Sequence, residues 1–391
     1  MFQVLAEFPW LLSCRLPPYG WDRPNDCLQT EPSIERLLTS LSAYRQIHLE
    51  GALMHSQAMR LGAVVLLSVS AAAHTERPRE QFDHSTVLYD WVTNDRGEKL
   101  RMFVTRPRDS GGRVAAIFFV GWLSCDTMES PNPKPNDGFG ILLRRLIDLS
   151  GFATVRMDKP GVGDSQGDCA KADFQSEMTG WQAAFDAMSK YDFIDLTRLF
   201  VVGLSNGGGV SPLAAGVHPV RGYISASAWG RTWYEHMLDL ERRRLVTEKK
   251  SPGEVNRDVK SFAEFYSLYL LKGMTPGEII AQHPEWKNLW YDAPDGQYGR
   301  PAAFYQQLEA LNLGEVWQKV NAPVLVIRGT ADTIMSRADS ETIAQMVNQV
   351  HPGNARYLEI DGMTHGFTVH EKFYEQIIPT ILNWIRRQCV C

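Results

Sequence analysis

From about residue 85 onward, the chain alternates short apolar blocks with longer stretches in which apolar residues recur at helical spacing. The first pattern is a hairpin, predicted from the alternating segments 85–94 and 98–106 around Asn94-Asp95-Arg96-Gly97. Further strands are predicted at 114–120, 152–157, 199–203, 222–226, 323–328 and 355–360. Strands that alternate with helices favour a mostly parallel sheet with helices on both faces, so we expect an α/β fold.

The pattern changes over residues 231–319, where strand signals are absent and helices are predicted instead. This segment is rich in aromatic residues, among them Trp233, Tyr269 and Trp290. Placed after the sixth strand, it would form a helical cap over the catalytic end of the sheet. Two interpretations of the aromatic residues stay open: they pack the core of the cap, or some of them line a pocket for an apolar or aromatic substrate.

The candidate chemistry begins at Gly203-Leu204-Ser205-Asn206-Gly207, which follows the apolar run 199–202 and precedes a predicted helix. A strand, a tight turn and a helix with a central serine describe a nucleophile elbow. The turn is so tight that Gly203 and Gly207, two residues to each side, must be small. Ser205 is therefore the candidate nucleophile.

A serine hydroxyl needs a base beside it, and the base is oriented by a carboxylate. Asp332 follows the predicted strand 323–328, and His365 follows the strand 355–360, so both lie where the carboxyl ends of parallel strands gather. The order Ser, Asp, His is that of hydrolases with this elbow. We expect Ser205, Asp332 and His365 to form a catalytic triad. Other acids and imidazoles fit less well: Asp339, Asp361, His370, His218, His283 and His351.

Acyl transfer also needs hydrogen-bond donors for the oxyanion. One is predicted to be the backbone N–H of Asn206, the residue after the nucleophile. The second is expected from the loop after strand 114–120, where the N–H of Trp122 is the candidate and that of Leu123 the near alternative.

Together these residues resemble the α/β-hydrolase superfamily. The segment 157–167 is similar to that family's Asp-x-x-Gly-x-Gly-x-Ser loop, and Ser205 to Gly208 and His365 to Phe367 are similar to prolyl-oligopeptidase-like and dienelactone-hydrolase-like relatives. The resemblance implies an α/β-hydrolase core over 84–230 and 320–391, with the helical cap at 231–319. It implies a serine hydrolase that cleaves a carboxylic ester through an acyl-enzyme. The alternatives are a serine peptidase and a non-catalytic binding protein of the same fold.

Residues 59–74 form a different pattern, with a basic start, a short apolar stretch and a small-residue end. This is typical of a secretory signal peptide, here 59–73, with cleavage near Ala73. Residues 1–58 lack sustained periodicity, so we interpret them as a disordered extension or a misassigned start before Met59 or Met54; a buried helix in an N-terminal domain is the alternative. A periplasmic or secreted protein is expected, and a cytoplasmic one if the signal interpretation fails.

Cys125 and Cys169 lie in the loops after the third and fourth strands, at the same end of the sheet, so an exported chain is expected to join them in a disulfide. Metal-ligand spacings of Cys and His are absent, and we expect no metal or cofactor. The net charge of −5 argues against a nucleic-acid partner, and no apolar run reaches the length of a membrane span. The expected partner is a small ester or a short peptide, and the oligomeric state is left open.

Overall fold

The structure is a computed structural model that describes residues 79–389. The predicted extension at 1–58 and signal peptide at 59–73 lie outside the described residues. In the described part, no helix combines the length and the apolar character that crossing a membrane requires.

The strands of the described residues form one large sheet and two small hairpins. In chain order they are β1 (Ser85–Thr93), β2 (Lys99–Pro107), β3 (Val114–Val120), β4 (Ala153–Met157), β5 (Ile194–Leu204), β6 (Gly222–Ala226), β7 (Gly296–Gln297), β8 (Arg300–Pro301), β9 (Val324–Gly329), β10 (Ala355–Ile360), β11 (Thr368–Val369) and β12 (Lys372–Phe373). The large sheet has the order β1-β2-β4-β3-β5-β6-β9-β10. Within it β2 runs antiparallel to both neighbours and the other pairs are parallel. The predicted fold class is confirmed.

The α-helices are α1 (Gly138–Ser150), α2 (Phe174–Asp186), α3 (Asn206–Ala215), α4 (Trp233–Thr247), α5 (Pro252–Tyr266), α6 (Pro276–Gln282), α7 (Ala302–Glu309), α8 (Leu313–Gln318), α9 (Arg337–Val350) and α10 (Ile377–Cys389). Helix α1 contacts α10, whereas α2, α3, α8 and α9 contact one another in succession. The two groups cover the sheet as layers, which explains why the central strand β3 is apolar along its whole length.

The order of the strands determines where the functional loops meet. Strand β5 lies between β3 and β6, with Val120 paired to Gly203 at the carboxyl end. Strand β9 lies beside β6, and β10 beside β9. The loops that follow β3, β5, β9 and β10 therefore open at one edge of the sheet, and each carries at least one of the predicted site residues.

Helices dominate the segment between β6 and β9, as predicted, but the two-residue strands β7 and β8 were not predicted because they are too short to leave a pattern. Most of its aromatic residues pack against each other: the ring of Trp290 lies 5.3 Å from that of Phe265 and 5.5 Å from that of Tyr269. The core-packing interpretation therefore holds for these three.

One predicted element starts in the wrong place. The sequence predicts a final amphipathic helix from about Glu371 to Arg387, but α10 begins at Ile377. His370 and Glu371 have positive φ angles of 49° and 63° and make the turn of the β11–β12 hairpin. A left-handed turn cannot belong to a right-handed helix, so the helix starts only after the hairpin.

Candidate active site

Ser205 stands between β5 and α3 with φ 54° and ψ −123°, a backbone conformation that residues other than glycine rarely adopt. A Cβ atom on Gly203 would lie 2.5 Å from the carbonyl oxygen of Gly207, and one on Gly207 would overlap the carbonyl oxygens of Val120 and Gly121. The two glycines thus allow the elbow to close against the loop after β3. This is the tight turn that the sequence predicts.

The structure brings the three predicted triad residues together. The Oγ of Ser205 lies 3.0 Å from Nε2 of His365, and Nδ1 of His365 lies 3.0 Å from Oδ2 of Asp332. Ser205 and His365 border a cavity, whereas Asp332 is buried. A hydroxyl, an imidazole and a carboxylate in this sequence can pass a proton from the serine to the histidine.

Asp332 is held in place by its own loop. Its Oδ1 accepts hydrogen bonds from the backbone N–H groups of Ile334 and Met335, each at 2.9 Å. Burial favours the neutral carboxyl, but the charge and hydrogen bond of His365 and these two N–H groups outweigh burial. The pKa of Asp332 consequently lies below its ordinary value, and the carboxylate is ionised at neutral pH.

Arg328, near the end of β9, holds the same loop in place, and the sequence did not predict this role. Its guanidinium donates to the carbonyl oxygens of Met335 and Asp332 at 2.8 and 3.1 Å and pairs with Glu359 at 2.7 Å. The sequence did contain a signal for this role: Arg328 is a charged residue in the otherwise apolar strand 323–328, and a buried charge needs polar partners.

The predicted oxyanion donors border the same cavity as Ser205. Asn206 is the first residue of α3, where a backbone N–H has no acceptor within its own helix. Nor does any described residue accept a hydrogen bond from the N–H of Trp122. Both N–H groups are therefore available to a ligand.

Lys159 holds the loop that carries Trp122. Its Nζ donates to the carbonyl oxygens of Trp122 and Ser124. Burial, together with the nearby Arg300 guanidinium, lowers the pKa of Lys159 well below its ordinary value. Lys159 belongs to the 157–167 motif, so this motif braces the loop that follows β3.

The side chain of Asn206 has a structural partner. Its Oδ1 accepts a hydrogen bond of 3.0 Å from the indole nitrogen of the buried Trp229. The indole of Trp317 donates to the carbonyl oxygen of Gly209 at 2.9 Å. Two tryptophans thus anchor the first turns of α3, on which the position of Ser205 depends.

The predicted disulfide between Cys125 and Cys169 is present. It joins the loop after β3 to the loop after β4, at a sequence separation of 44 residues. Arg300, from the segment between β6 and β9, is buried beside it, donates to the carbonyl oxygen of Cys169 at 3.2 Å and pairs with Glu177. The loop with Trp122 is therefore fixed on two sides.

The cavity at Ser205 has a volume of about 710 Å³. Its wall is largely apolar, and carboxylates from the loop after β3 also contribute to it. The apolar lining residues are Trp122, Leu123, Phe139, Trp233, Leu240, Ile334 and Met335, and the charged ones are Asp126, Glu129, Lys134 and Asp137. A pocket of this size admits a small organic ester or a short peptide end.

The other acids and imidazoles considered in the sequence lie apart from Ser205. The exposed Asp361 accepts a hydrogen bond from Thr330, and His218 contacts Asp186 at the surface. Asp339 is buried and contacts His236, a cavity residue that was not singled out in the sequence. Among the described residues, no three Cys, His, Asp or Glu side chains are arranged to hold a metal ion.

The sheet, the elbow and the loops define the chain as an α/β-hydrolase. Residues 143–372, more than half of the chain, match the family described as Hydrolase_4: Serine aminopeptidase, S33. The chain belongs to this family and is a serine hydrolase. The prolyl-oligopeptidase-like or dienelactone-hydrolase-like branch suggested by the motifs stays a prediction. A search of curated proteins gives no match.

Solved structures share the fold. Est1E from Butyrivibrio proteoclasticus is 16% identical, with a TM-score of 0.50 over 78% of this chain and 99% of that chain. Est1E with ferulic acid bound is 18% identical, with a TM-score of 0.51 over 77% and 100%. A hypothetical protein from Pseudomonas aeruginosa is 15% identical, with a TM-score of 0.50 over 78% and 94%. At such identities the similarity establishes the fold alone.

Proposed function

We propose that the protein is an esterase that cleaves carboxylic esters of small molecules through an acyl-enzyme on Ser205. The observation that carries this proposal is the pair of 3.0 Å contacts that joins Ser205 to His365 and His365 to Asp332 at the wall of a cavity. A nucleophile must reach its substrate and its base at once, and this arrangement satisfies both conditions.

In the first step the Oγ of Ser205 bonds to the ester carbonyl carbon while its proton passes to Nε2 of His365. The carbonyl oxygen becomes an oxyanion, which accepts hydrogen bonds from the N–H groups of Asn206 and Trp122. As the tetrahedral intermediate collapses, the C–O bond to the alcohol breaks and His365 returns the proton to the leaving oxygen. Asp332 stabilises the imidazolium that exists between these two transfers.

Water completes the cycle. It attacks the acyl carbon, loses a proton to His365 and leaves as part of the free acid, while the Oγ of Ser205 recovers the proton. The same donors hold the second oxyanion. The largely apolar wall of the cavity favours an apolar or aromatic group on the substrate. Ferulic acid is an aromatic acid, and its presence on Est1E makes a feruloyl ester a suitable member of the test panel.

Peptide cleavage is the second candidate, because the family is described as a serine aminopeptidase and carboxylates line part of the cavity. An aminopeptidase needs a carboxylate for the substrate ammonium. Two of these acids already have protein partners: Glu129 accepts from the hydroxyl of Tyr89 at 2.6 Å, and Asp137 accepts from the N–H of Gly140 at 2.9 Å. Ester cleavage is therefore the leading candidate for the activity.

A substrate panel separates the candidates. Purified protein is assayed on p-nitrophenyl acetate, p-nitrophenyl butyrate, methyl ferulate and aminoacyl-p-nitroanilides, with Ser205→Ala as the control. We expect hydrolysis of the esters, little of the anilides and none by the control. Preferential hydrolysis of the anilides would establish a peptidase. No turnover of any substrate, together with no fluorophosphonate labelling of Ser205, would favour a non-catalytic binding protein.

Export is a further part of the proposal. It is supported by the signal-like pattern at 59–73 and by the disulfide, since disulfides persist in oxidising compartments. N-terminal sequencing of protein recovered from a bacterial periplasm is expected to begin just after Ala73. A first residue before Leu61 would contradict export through this segment.

A further inference from the structure

His236 is a second imidazole on the wall of the Ser205 cavity. It belongs to α4, in the segment between β6 and β9, and only 1% of its surface is exposed. Its ring lies 4.8 Å from that of Trp233, which stands 5.1 Å from Trp229, the partner of Asn206. Two ring contacts and one hydrogen bond thus connect His236 to the residue next to the nucleophile.

One nitrogen of His236 is fixed by Asp339. Nδ1 lies 3.1 Å from Oδ2 of this fully buried carboxylate, which also accepts from the Ser336 N–H at 2.8 Å. Its Oδ1 accepts from Nη2 of Arg231 at 2.8 Å. Burial opposes ionisation, but these partners hold the pKa of Asp339 well below its ordinary value. An ionised carboxylate only accepts hydrogen bonds, so Nδ1 carries the proton.

The other nitrogen, Nε2, is left as an acceptor in the neutral ring, and no described residue hydrogen-bonds to it. The indole N–H of the neighbouring Trp233, also a cavity residue, is buried and without a partner among the described residues. Polar groups inside a protein are nearly always satisfied, so an acceptor on a cavity wall without a partner among the described residues calls for a ligand. A structural role that only joins α4 to α9 would account for Nδ1 of His236 but not for its Nε2.

We propose that His236 is a substrate-binding residue whose Nε2 accepts a hydrogen bond from a hydroxyl group of the ester. A hydroxyl group donates a hydrogen bond, which matches the imidazole acceptor. The substrate class is then a hydroxylated ester, with the hydroxyl on the acyl or on the alcohol portion. This inference rests on the proposed esterase function and assigns the chemistry of its substrate.

Size-matched pairs of substrates test the proposal. On the acyl side, p-nitrophenyl 3-hydroxybutyrate is compared with p-nitrophenyl butyrate. On the alcohol side, 2-hydroxyethyl butyrate is compared with propyl butyrate. The variants are His236→Phe, which removes the acceptor, and His236→Gln, which keeps a carbonyl acceptor. Leu240→Ala, one turn later on α4 and in the same cavity wall, is the control for a change of shape alone.

We expect wild-type protein to prefer the hydroxylated member of one pair. His236→Phe should lower kcat/KM for that member by about 10-fold, chiefly through KM, and should lower kcat/KM for its size-matched partner much less. His236→Gln should retain part of the preference, and Leu240→Ala should affect both members equally. Fluorophosphonate labelling of Ser205 at the wild-type rate verifies that His236→Phe is folded. We expect the variant to fold because Arg231 and Ser336 still pair with the buried Asp339.

Two results would overturn the assignment of His236: equal losses on both members of each pair, or the absence of any preference in wild-type protein. The proposed function fails in a distinguishable way. In that case wild-type protein hydrolyses none of the four esters and Ser205 is not labelled, and the substrate assignment falls with it.

Discussion

Replacing Asp332 with asparagine exchanges one oxygen for an NH₂ group and reverses the direction of a hydrogen bond. The Oδ1 of Asp332 accepts from the N–H groups of Ile334 and Met335, and Oδ2 faces Nδ1 of His365. In the variant the amide oxygen must stay with the two N–H donors, so the NH₂ group points at His365. Nδ1 then has to accept, the ring proton moves to Nε2, and His365 can no longer take the proton of Ser205.

The structure sets the size of the effect. Turning the amide over would leave two backbone N–H donors unsatisfied, at about 1–3 kcal/mol each. The productive orientation is thus disfavoured by about 2–6 kcal/mol, or between about 30-fold and about 10⁴-fold. Loss of the charge that stabilises the imidazolium adds to this. We expect kcat to fall by about 10⁴-fold with little change in the melting temperature.

The assay is steady-state hydrolysis of p-nitrophenyl butyrate, accompanied by the rate of fluorophosphonate labelling, which should fall in parallel. Asp361→Asn is the matched control, because Asp361 is an exposed acid in the loop before His365 and, among the described residues, hydrogen-bonds only to Thr330. It should remain within about twofold of wild-type protein. A tenth or more of wild-type kcat in Asp332→Asn, or a larger loss in Asp361→Asn, would refute the reasoning.

Three further predictions concern the loop after β3 and the residues that contact it. Replacing both Cys125 and Cys169 with serine should lower the free energy of unfolding, measured by urea denaturation, by up to about 4 kcal/mol. Reductant should then have no effect on the stability of the variant. An unchanged free energy of unfolding would show that the disulfide contributes nothing. Gly207→Ala should reduce kcat by about 10²-fold, because the new Cβ overlaps the carbonyl oxygen of Gly121 and displaces the oxyanion donors. Full activity of the soluble variant would contradict this prediction. Burial raises the pKa of Asp158 to about 6, so wild-type protein should lose stability as pH rises from about 4 to about 6. Thermal unfolding of Asp158→Asn across that pH range should lack this loss. Identical pH profiles of the two proteins would disprove the linkage.

The sheet and the elbow were predictable because their causes are local. Strand β3 is apolar throughout because both of its faces are covered, and Gly203 and Gly207 are small because the turn at Ser205 leaves no room. The positions of Asp332 and His365 could be predicted because each follows a parallel strand, and the carboxyl ends of parallel strands lie at the same edge of the sheet. Such features leave a signal within a few neighbouring residues.

The supporting contacts could not be predicted in the same way. Lys159 reaches the loop of Trp122 across 37 residues of chain, and His236 meets Asp339 across 103. Only the packing of helices and loops brings such pairs together, and no local pattern records it. The late start of α10 has a related cause, since the turn at His370 depends on the pairing of two very short strands.

The most direct test of the account is to identify the covalent intermediate. Wild-type protein is mixed with p-nitrophenyl butyrate, quenched with acid during the first turnovers, digested and analysed by mass spectrometry. The account predicts a butyryl group on Ser205, absent in Ser205→Ala and formed far more slowly in His365→Ala. Butyrylation of another residue, or undiminished hydrolysis by Ser205→Ala, would contradict it.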